Sequence, residues 1–288
     1  MLEHKFEEVT LPKRVVIIGG SGFVGGAIAK SLRVKDIDVF TLGSVNVDLT
    51  KDGSNKALVQ KIKNDDVVVA ASAVAPVKNL DDLKSNIEII KNIHSGVEEA
   101  QPCHFINIGS DAVFSDGPLP LNETSSKAPD SFHGIMHLTR EAAFAQLNIP
   151  VVTIRPTLIY GKEDPHNGYG PNRFAKLAVA NEEIQLFGEG EEKRDHIFIE
   201  DVAELAVQTI LHRSVGSINA VTGSVYSFKE IASLIVEEAQ SSSTIKGTKR
   251  IGKMPHDGLR TFDNTQVFQA FPAFQFTPLT NGLATFFD

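Results

Sequence analysis

Near its start the chain has a buried strand, a glycine-rich turn and a helix in immediate succession. Residues 14–18 (RVVII) form a continuous apolar run, and an amphipathic helical pattern extends from residue 23 to 32. Between them lie Gly19, Gly22 and Gly25, in a G-x-x-G-x-x-G spacing. Glycine is required where a backbone turns sharply and approaches a pyrophosphate, and the N–H groups of a helix N-terminus attract the anion. A tight turn without a ligand is the alternative, but this setting favours a dinucleotide site.

The same strand-then-helix order repeats along the first half of the chain. Strands that are apolar without alternation are buried on both faces, and βαβα order implies parallel strands with right-handed crossovers. The sequence therefore predicts an α/β protein built on a Rossmann-type doubly wound parallel sheet. The further strands are predicted at residues 38–42, 66–71, 104–108 and 151–154, and the further helices at 56–63, 80–99 and 139–147.

The pattern loosens in a predicted loop at residues 161–170, which contains glycines, a proline and an asparagine. We expect a dinucleotide-binding domain at residues 1–163, to which residues 195–225 return. Residues 164–194 and 226–288 are expected to form a smaller C-terminal substrate lobe. Helices are predicted at 202–211 and 228–239, and a phenylalanine-rich tail is expected to pack in the core: Phe268, Phe271, Phe274 and Phe276.

Composition narrows the classes of partner. The 288 residues have a formal net charge of −8, which argues against a general nucleic-acid or anionic-membrane binder because phosphates would be repelled. The single cysteine, Cys103, excludes an internal disulfide and a multi-cysteine metal site, and it fits a reducing compartment. The first residues contain no apolar leader and no apolar stretch is long enough to span a bilayer, so a cytoplasmic protein is expected.

Further motifs follow the glycine-rich turn in a fixed order. They are DLT at residues 48–50, AASA at 70–73, GSDAVF at 109–114, TIRPTLIYG at 153–161, and GEG at 188–190 followed by RDHIFIEDVA at 194–203. Together they resemble the motifs of the extended short-chain dehydrogenase/reductases, and more narrowly of the NAD-dependent epimerase/dehydratase family acting on nucleotide sugars. The short link from the second strand to residue 48 and the GSDAVF segment are most similar to the dTDP-4-dehydrorhamnose reductase branch. The resemblance extends from about residue 15 to the C-terminus.

This resemblance implies a nicotinamide cofactor. The acidic residue that usually ends the second strand and binds a ribose 2′-hydroxyl is missing, since residues 41–44 read TLGS. Nothing there would repel a 2′-phosphate, so NADP(H) is slightly favoured over NAD(H). Asp48 would accept a hydrogen bond from an adenine amino group, and a turn or helix cap is its alternative role. The implied cofactor-binding residues are Gly19, Ser21, Gly22, Phe23, Val24, Gly25, Asp48, Leu49, Ala71, Ser72, Ala73, Arg155 and Pro156.

The resemblance also implies a nucleotide-sugar substrate. Ser110 falls at the family's active-site hydroxyl, which bonds the substrate carbonyl or hydroxyl. Arginine suits a diphosphate because its planar guanidinium binds bidentately, although a surface ion pair is the alternative for Arg194. A homodimer through helix 80–99 and the helix after residue 133 is implied in the same way. The implied substrate-binding residues are Asp111, Asn172, Arg173, Phe187 and Arg194.

The sequence departs from the family at the catalytic centre. The family uses a Tyr-x-x-x-Lys pair, in which the tyrosine exchanges a proton with the substrate and the lysine lowers the tyrosine pKa and holds the ribose. Here His133 aligns with the tyrosine and His137 with the lysine. Shifting the register by one residue gives Phe132 and Met136, which also lack the pair.

Three interpretations of these histidines stay open. In the first, His133 replaces tyrosine as general acid or base, and His137, one helical turn on, holds the ribose or relays protons. In the second, the site is catalytically silent. In the third, the two imidazoles bind a metal, which we do not expect because Cys103 and His104 lie at the wrong end of their strand. Either histidine is otherwise an ordinary polar helix residue.

The sequence thus predicts an NAD(P)-dependent oxidoreductase or epimerase acting on a nucleotide-activated sugar, specifically a 4-keto sugar reductase. Ser110 and His133 would be catalytic, with His137 beside them and no metal. The alternative is a catalytically silent, NADP-binding sensor or scaffold of the same fold.

Overall fold

The computed structural model describes residues 2–288, which form thirteen strands and nine α-helices. The strands are β1 (Glu3–His4), β2 (Val15–Ile18), β3 (Val39–Leu42), β4 (Val67–Ala70), β5 (His104–Ile108), β6 (Val151–Pro156), β7 (Leu158–Tyr160), β8 (Ile184–Phe187), β9 (Lys193–Phe198), β10 (Ser214–Ala220), β11 (Val225–Ser227), β12 (Ile245–Thr248) and β13 (Leu259–Arg260). The helices are α1 (Phe23–Val34), α2 (Asn55–Val59), α3 (Leu80–Ala100), α4 (Phe132–Phe144), α5 (Pro171–Val179), α6 (Ile199–Leu211), α7 (Phe228–Glu238), α8 (Thr265–Ala270) and α9 (Leu279–Ala284).

The main sheet has seven strands in the order β1-β10-β6-β5-β4-β2-β3, and all neighbours are parallel except β1, which runs antiparallel to β10. Strands β2, β4 and β5 are buried along their whole length, as their apolar sequences require. The strand order reverses between β2 and β4. In open parallel sheets such a reversal opens a crevice at the carboxyl ends of the strands, where ligands bind.

Helices cover both faces of this sheet. One face packs on α1 and α6, and the other packs on α2, α3 and α4. The predicted Rossmann-type doubly wound fold is therefore confirmed. The predicted start of α4 at residue 139 is wrong, because the helix begins at Phe132 after the Ser131 side chain accepts a hydrogen bond from Gly134 N–H at 3.1 Å.

A second group of elements packs around its own apolar cluster. Strand β9 pairs with β7, β11 and β13, β8 pairs with β12, and helices α5, α7 and α9 join them around Phe174 and Phe228. The loop predicted at residues 161–170 is confirmed, and β10 lies in the main sheet. The domain boundaries given above stay a prediction.

The phenylalanine-rich tail only partly follows its prediction. Phe271 and Phe274 are buried in the core between the sheet and α6, as expected. Phe276 is partly buried against them, whereas Phe268 is 41% exposed, so its predicted core position is wrong. Phe268 stacks edge-on against Phe276 at the surface instead, with ring centroids 5.9 Å apart.

Candidate functional site

The turn between β2 and α1 exposes bare backbone. A Cβ on Gly19, whose φ is +91°, would lie 2.6 Å from the backbone nitrogen of Ser72, and a Cβ on Gly25 would overlap the carbonyl oxygen of Gly19. Helix α1 begins after Gly22, which has no side chain to cap the first N–H groups. These groups therefore remain for an anion, as a dinucleotide pyrophosphate requires.

A cleft of about 280 Å³ runs from this turn across the carboxyl ends of the strands. It lies at the reversal of strand order, where a dinucleotide is expected. Asp48 lines it, but one carboxylate oxygen accepts hydrogen bonds from the Thr50 backbone N–H and hydroxyl at 3.1 and 2.6 Å, which lowers the pKa of Asp48. Of the predicted cofactor-binding residues, the cleft contacts Gly19, Ser21, Gly22, Asp48, Leu49, Ala71, Ser72 and Ala73.

The remaining predicted cofactor residues lie elsewhere around the turn. Phe23, Val24 and Gly25 form the first turn of α1. Arg155 is inside the protein, with Nε 2.6 Å from a carboxylate oxygen of Glu141, and Pro156 ends β6. Arg155 therefore joins β6 to α4, and its direct contact with a cofactor stays a prediction.

The two histidines of α4 lie next to each other on one helix face. The ring centroids of His133 and His137 are 4.7 Å apart at an interplanar angle of 78°. Burial lowers the pKa of His133, an effect opposed by the nearby Asp111 carboxylate, and burial lowers the pKa of His137 further. Both imidazoles are therefore neutral at pH 7.

Ser110 lies at the end of β5, where it begins a short 3₁₀ helix (Asp111–Val113). Its Oγ accepts a hydrogen bond from Ala112 N–H at 3.1 Å. Helix α4 packs closely on this segment, because a Cβ on Gly134 would overlap the Ala112 carbonyl oxygen. Ser110 and Asp111 therefore lie on a segment that packs against α4, the helix of His133 and His137, and the catalytic and substrate-binding roles of these residues stay a prediction.

On the segment after β4 and on α4, three buried polar atoms have no hydrogen-bond partner among residues 2–288. They are Ser72 Oγ and the Nδ1 atoms of His133 and His137. Buried polar atoms in folded proteins are nearly always paired, and unpaired ones need an explanation such as a bound group. Together with the bare glycine turn, these atoms fit a polar ligand such as a nicotinamide dinucleotide.

Arg260 is a site residue that the sequence did not identify. This buried arginine on β13 donates from Nε to Asp111 Oδ2 at 3.1 Å and from NH2 to the Asp111 carbonyl oxygen at 2.8 Å. The charge of the Asp111 carboxylate is therefore balanced by Arg260, which belongs to the second group of elements. A contact spanning 149 positions gives no local signal in the sequence.

The predicted substrate residues are distributed over the second group of elements. Asn172, on α5, accepts a hydrogen bond from Gly161 N–H at 3.1 Å and donates to Asp164, so it also supports the loop after β7. Arg173 is exposed on α5, and Phe187 is exposed at the end of β8. Arg194, on β9, pairs with Glu192 at 3.1 Å, but Glu192 is buried, so this is not the surface ion pair that was the alternative role of Arg194. Substrate contact by any of these residues stays a prediction.

Two residues near Arg194 were also missed. Arg250 lies 3.7 Å from Glu192 and donates to the Phe187 carbonyl oxygen, while its buried Nε has no partner among the described residues. Tyr169 accepts a hydrogen bond from Phe187 N–H and packs on the Phe187 ring, with centroids 4.5 Å apart. These contacts join loops that are distant in sequence, so no motif spacing could have revealed them.

Among residues 2–288, no three or more histidine, cysteine, aspartate or glutamate side chains lie together as they would around a metal ion. No helix in the described chain is both long and apolar enough to cross a membrane.

The turn, the cleft and the parallel sheet define the class of dinucleotide-binding α/β proteins. More specifically, the sequence profile of the NAD dependent epimerase/dehydratase family matches residues 15–221. The chain belongs to this family, which confirms the predicted membership.

The chain is similar to characterised members of that family. It is 25% identical to a GDP-L-fucose synthase of Dictyostelium discoideum over 320 residues, covering 96% of this chain and 94% of the relative. A GDP-L-fucose synthetase from Naegleria fowleri bound to NADP superposes with a TM-score of 0.81 at 16% identity, covering 99% of this chain and 94% of the other. The Thermus thermophilus UDP-glucose 4-epimerase in complex with NAD gives 0.79 at 18% identity, covering 94% and 97%. At these identities the structural matches establish the fold.

Proposed function

We propose that this protein is an NAD(P)-dependent oxidoreductase acting on a nucleotide-activated sugar, specifically a reductase of 4-keto sugars. The observation that most supports the proposal is a set of three buried polar atoms without a hydrogen-bond partner among residues 2–288: Ser72 Oγ, which lines the cleft, and the Nδ1 atoms of His133 and His137 on α4. The similarity to nucleotide-sugar synthases and epimerases supports the substrate class.

The proposed cofactor site uses the α1 N-terminus for the pyrophosphate and the cleft for the adenosine. Serines and an asparagine surround the end of β3, where Gly43 N–H donates to Asn46 Oδ1 at 3.0 Å and a Cβ on Gly43 would lie 2.8 Å from Ser21 Oγ. Because no carboxylate lies in this short segment, a 2′-phosphate is tolerated, and we propose a slight preference for NADP(H) over NAD(H).

The proposed reaction needs one hydride and one proton. A reduced nicotinamide held by the glycine turn and the cleft would supply the hydride. The Ser110 hydroxyl polarises the carbonyl oxygen by donating a hydrogen bond. The imidazolium form of His133, a minority species at pH 7 because burial lowers the pKa of His133, gives its proton to the oxygen as the alcohol forms. His137, one turn along α4, orients His133 through their edge-on contact. His133 then takes up a new proton from the solvent, because the first proton remains on the product alcohol.

We also propose a homodimer in which α3 and α4 form the interface. Each helix exposes apolar side chains: Ile87 on α3 is 41% exposed, and Phe132 and Ile135 on α4 are 37% and 39% exposed. Exposed apolar groups on neighbouring helices mark interaction surfaces. We also propose a cytoplasmic location for the protein.

Reduced cofactor consumption tests the proposed activity. The purified protein is mixed with NADPH or NADH and a panel of nucleotide 4-keto-6-deoxy sugars, and the loss of nicotinamide absorbance is followed. Turnover of at least one of these sugars is expected. Tight binding of NADPH with no turnover of any sugar would contradict the reductase proposal.

The second candidate function is a catalytically silent NADP-binding sensor or scaffold. Two observations favour it: the Tyr-x-x-x-Lys pair is absent, and the Asp111 carboxylate already forms an ion pair with Arg260. The double variant His133→Tyr with His137→Lys separates the two functions. If His133 is the proton donor of the parent, this double variant should have a lower turnover than the parent. If the parent is inactive and the double variant gains turnover, the result supports the sensor.

A further inference from the structure

Arg140 lies fully inside the protein, on α4, beneath the end of β4. Its Nε donates to Asn107 Oδ1 at 2.6 Å, and its NH1 and NH2 groups donate to the carbonyl oxygens of Ser72 and Ala70 at 2.8 and 2.7 Å. One guanidinium therefore joins α4 to β4 and β5 at the edge where the cleft opens.

No carboxylate within residues 2–288 forms an ion pair with Arg140. The adjacent Glu141 pairs instead with Arg155 at 2.6 Å and with Lys127 at 2.9 Å. The acceptors around Arg140 are all neutral, and burial lowers its pKa to about 10, which still leaves it charged at pH 7. Buried charges are ordinarily paired, so this cation differs from the other buried arginines, Arg155 and Arg260.

Arg140 lies on the same helix as the two histidines of the candidate reaction centre. It follows His133 and His137 at helical spacing, so all three share one face of α4. The Ser72 backbone to which it donates is also the backbone against which Gly19 packs, with no room for a Cβ. Arg140 thus fixes the strand end that lies between the phosphate-binding turn and the histidines.

We propose that Arg140 is the positive charge of this centre, positioning the Ala70–Ser72 backbone and favouring a reduced, uncharged nicotinamide over the oxidised, positively charged one. The inference rests on the proposed binding of a nicotinamide dinucleotide. Its physical basis is that a buried cation without a counter-ion repels a second cation in the same low-dielectric region. Arg140 is a positioning residue, since it acts through backbone carbonyls and its field.

Two variants separate the charge of Arg140 from its packing. Asn107→Asp keeps an oxygen acceptor for Arg140 Nε but supplies a carboxylate that neutralises the guanidinium, and the Thr153 hydroxyl, 3.3 Å from Asn107 Nδ2, can donate to it instead. Arg140→Gln removes the charge and shortens the side chain. Asn281→Asp, on the exposed surface of α9, is the matched control because it adds the same charge far from the cleft.

The measurements are calorimetric titrations with NADPH and NADP⁺, together with thermal unfolding of the cofactor-free variants. In Asn107→Asp we expect unfolding at or above the parent temperature, while the ratio of the NADP⁺ to the NADPH dissociation constant falls by about fivefold, a typical size for coupling between two groups. Arg140→Gln is expected to change the ratio in the same direction, and Asn281→Asp to leave it unchanged. If Arg140→Gln does not fold, the ratio of dissociation constants measured for Asn107→Asp tests the inference by itself.

The outcomes distinguish this inference from the proposed function. If the parent binds the dinucleotides and Asn107→Asp folds but leaves the ratio within twofold of the parent, Arg140 is a structural residue only and the inference is wrong. If Asn107→Asp unfolds the protein, the inference is also contradicted, because the guanidinium then does not accept a counter-ion. If the parent binds no dinucleotide in either redox state, the proposed function fails and the inference fails with it.

Discussion

The phosphate-binding turn and the reaction centre lie at the same edge of the main sheet, but they are built differently. The turn uses backbone alone, in a short segment in which Gly19 and Gly25 leave no space for side chains. The reaction centre instead combines side chains from α4 and from the segments that follow β4 and β5, and Arg260 reaches it from the second group of elements. The turn depends on the backbone of one short segment, so the spacing of its glycines in the sequence is enough to predict it. The reaction centre depends on side chains from distant segments, so several substitutions together can change its chemistry.

This comparison predicts that the two sites can be damaged independently. Replacement of His133 by glutamine should reduce turnover by about a hundredfold or more, because a general acid contributes roughly 10²–10⁴-fold to a rate. Cofactor affinity should stay at the parent value, since the turn is untouched. Steady-state kinetics and a cofactor titration of the same preparation check both statements. A variant as active as the parent would remove His133 from the mechanism.

The ion pair between Arg260 and Asp111 should contribute mainly to stability. Arg260→Met leaves the Asp111 carboxylate buried and unpaired, which is expected to lower the free energy of unfolding by about 3–5 kcal/mol. Denaturant unfolding measures the loss. The double variant Arg260→Met with Asp111→Asn should recover much of it, and a double variant less stable than Arg260→Met would show that the unpaired charge is not the cause.

Two neighbouring glycines of α1 provide a matched test of the turn. A Cβ on Gly25 would overlap the Gly19 carbonyl oxygen, whereas a Cβ on Gly26 has its nearest neighbour, the Gly20 carbonyl oxygen, at 3.7 Å. Overpacking costs about 1–3 kcal/mol, so Gly25→Ala should weaken NADPH binding by about tenfold to a hundredfold. Gly26→Ala should bind like the parent. Equal affinities of the two variants would exclude the turn as the pyrophosphate site.

The pH dependence of reduction should follow His133. Burial lowers its pKa from the ordinary 6.5, so the imidazolium that donates the proton is fully present only below that lowered pKa and is lost as pH rises through it. We therefore expect kcat/KM for reduction to rise as pH falls through the neutral range and to level off only below the lowered pKa of His133, at a pH under 6.5. In the oxidising direction the sign reverses, because neutral imidazole accepts the proton. A flat profile in the parent, or an unchanged slope in His133→Gln, would contradict this assignment.

The sequence predicted five of the seven strands of the main sheet, β2 to β6, because these are short, mainly apolar runs. Strands β1 and β10 lack such a run and were not predicted. The same local reading failed at α4, where Ser131 and Gly134 resemble a loop in sequence but form the cap and the close contact that begin the helix. It also failed at Phe268, since spacing among phenylalanines does not specify which ring faces the core.

The candidate site was predictable to the extent that it depends on motifs. Ser110, His133 and His137 were identified through the family resemblance, and they lie on α4 and on the 3₁₀ segment that packs against it. Their catalytic roles stay a prediction. The partners that set their electrostatics could not be found in this way. Arg140 meets Asn107 across 33 positions and Arg260 meets Asp111 across 149, and such pairings arise only when the chain is folded.

Calorimetric titration of the parent protein with NADPH tests the central claim most directly, because the glycine turn and the cleft that Ser72 lines are assigned to a nicotinamide dinucleotide. The account predicts saturable binding of one dinucleotide per chain, which is weakened in Gly25→Ala and retained in Gly26→Ala and His133→Gln. The absence of saturable binding of both NADPH and NADH to the folded parent would contradict it.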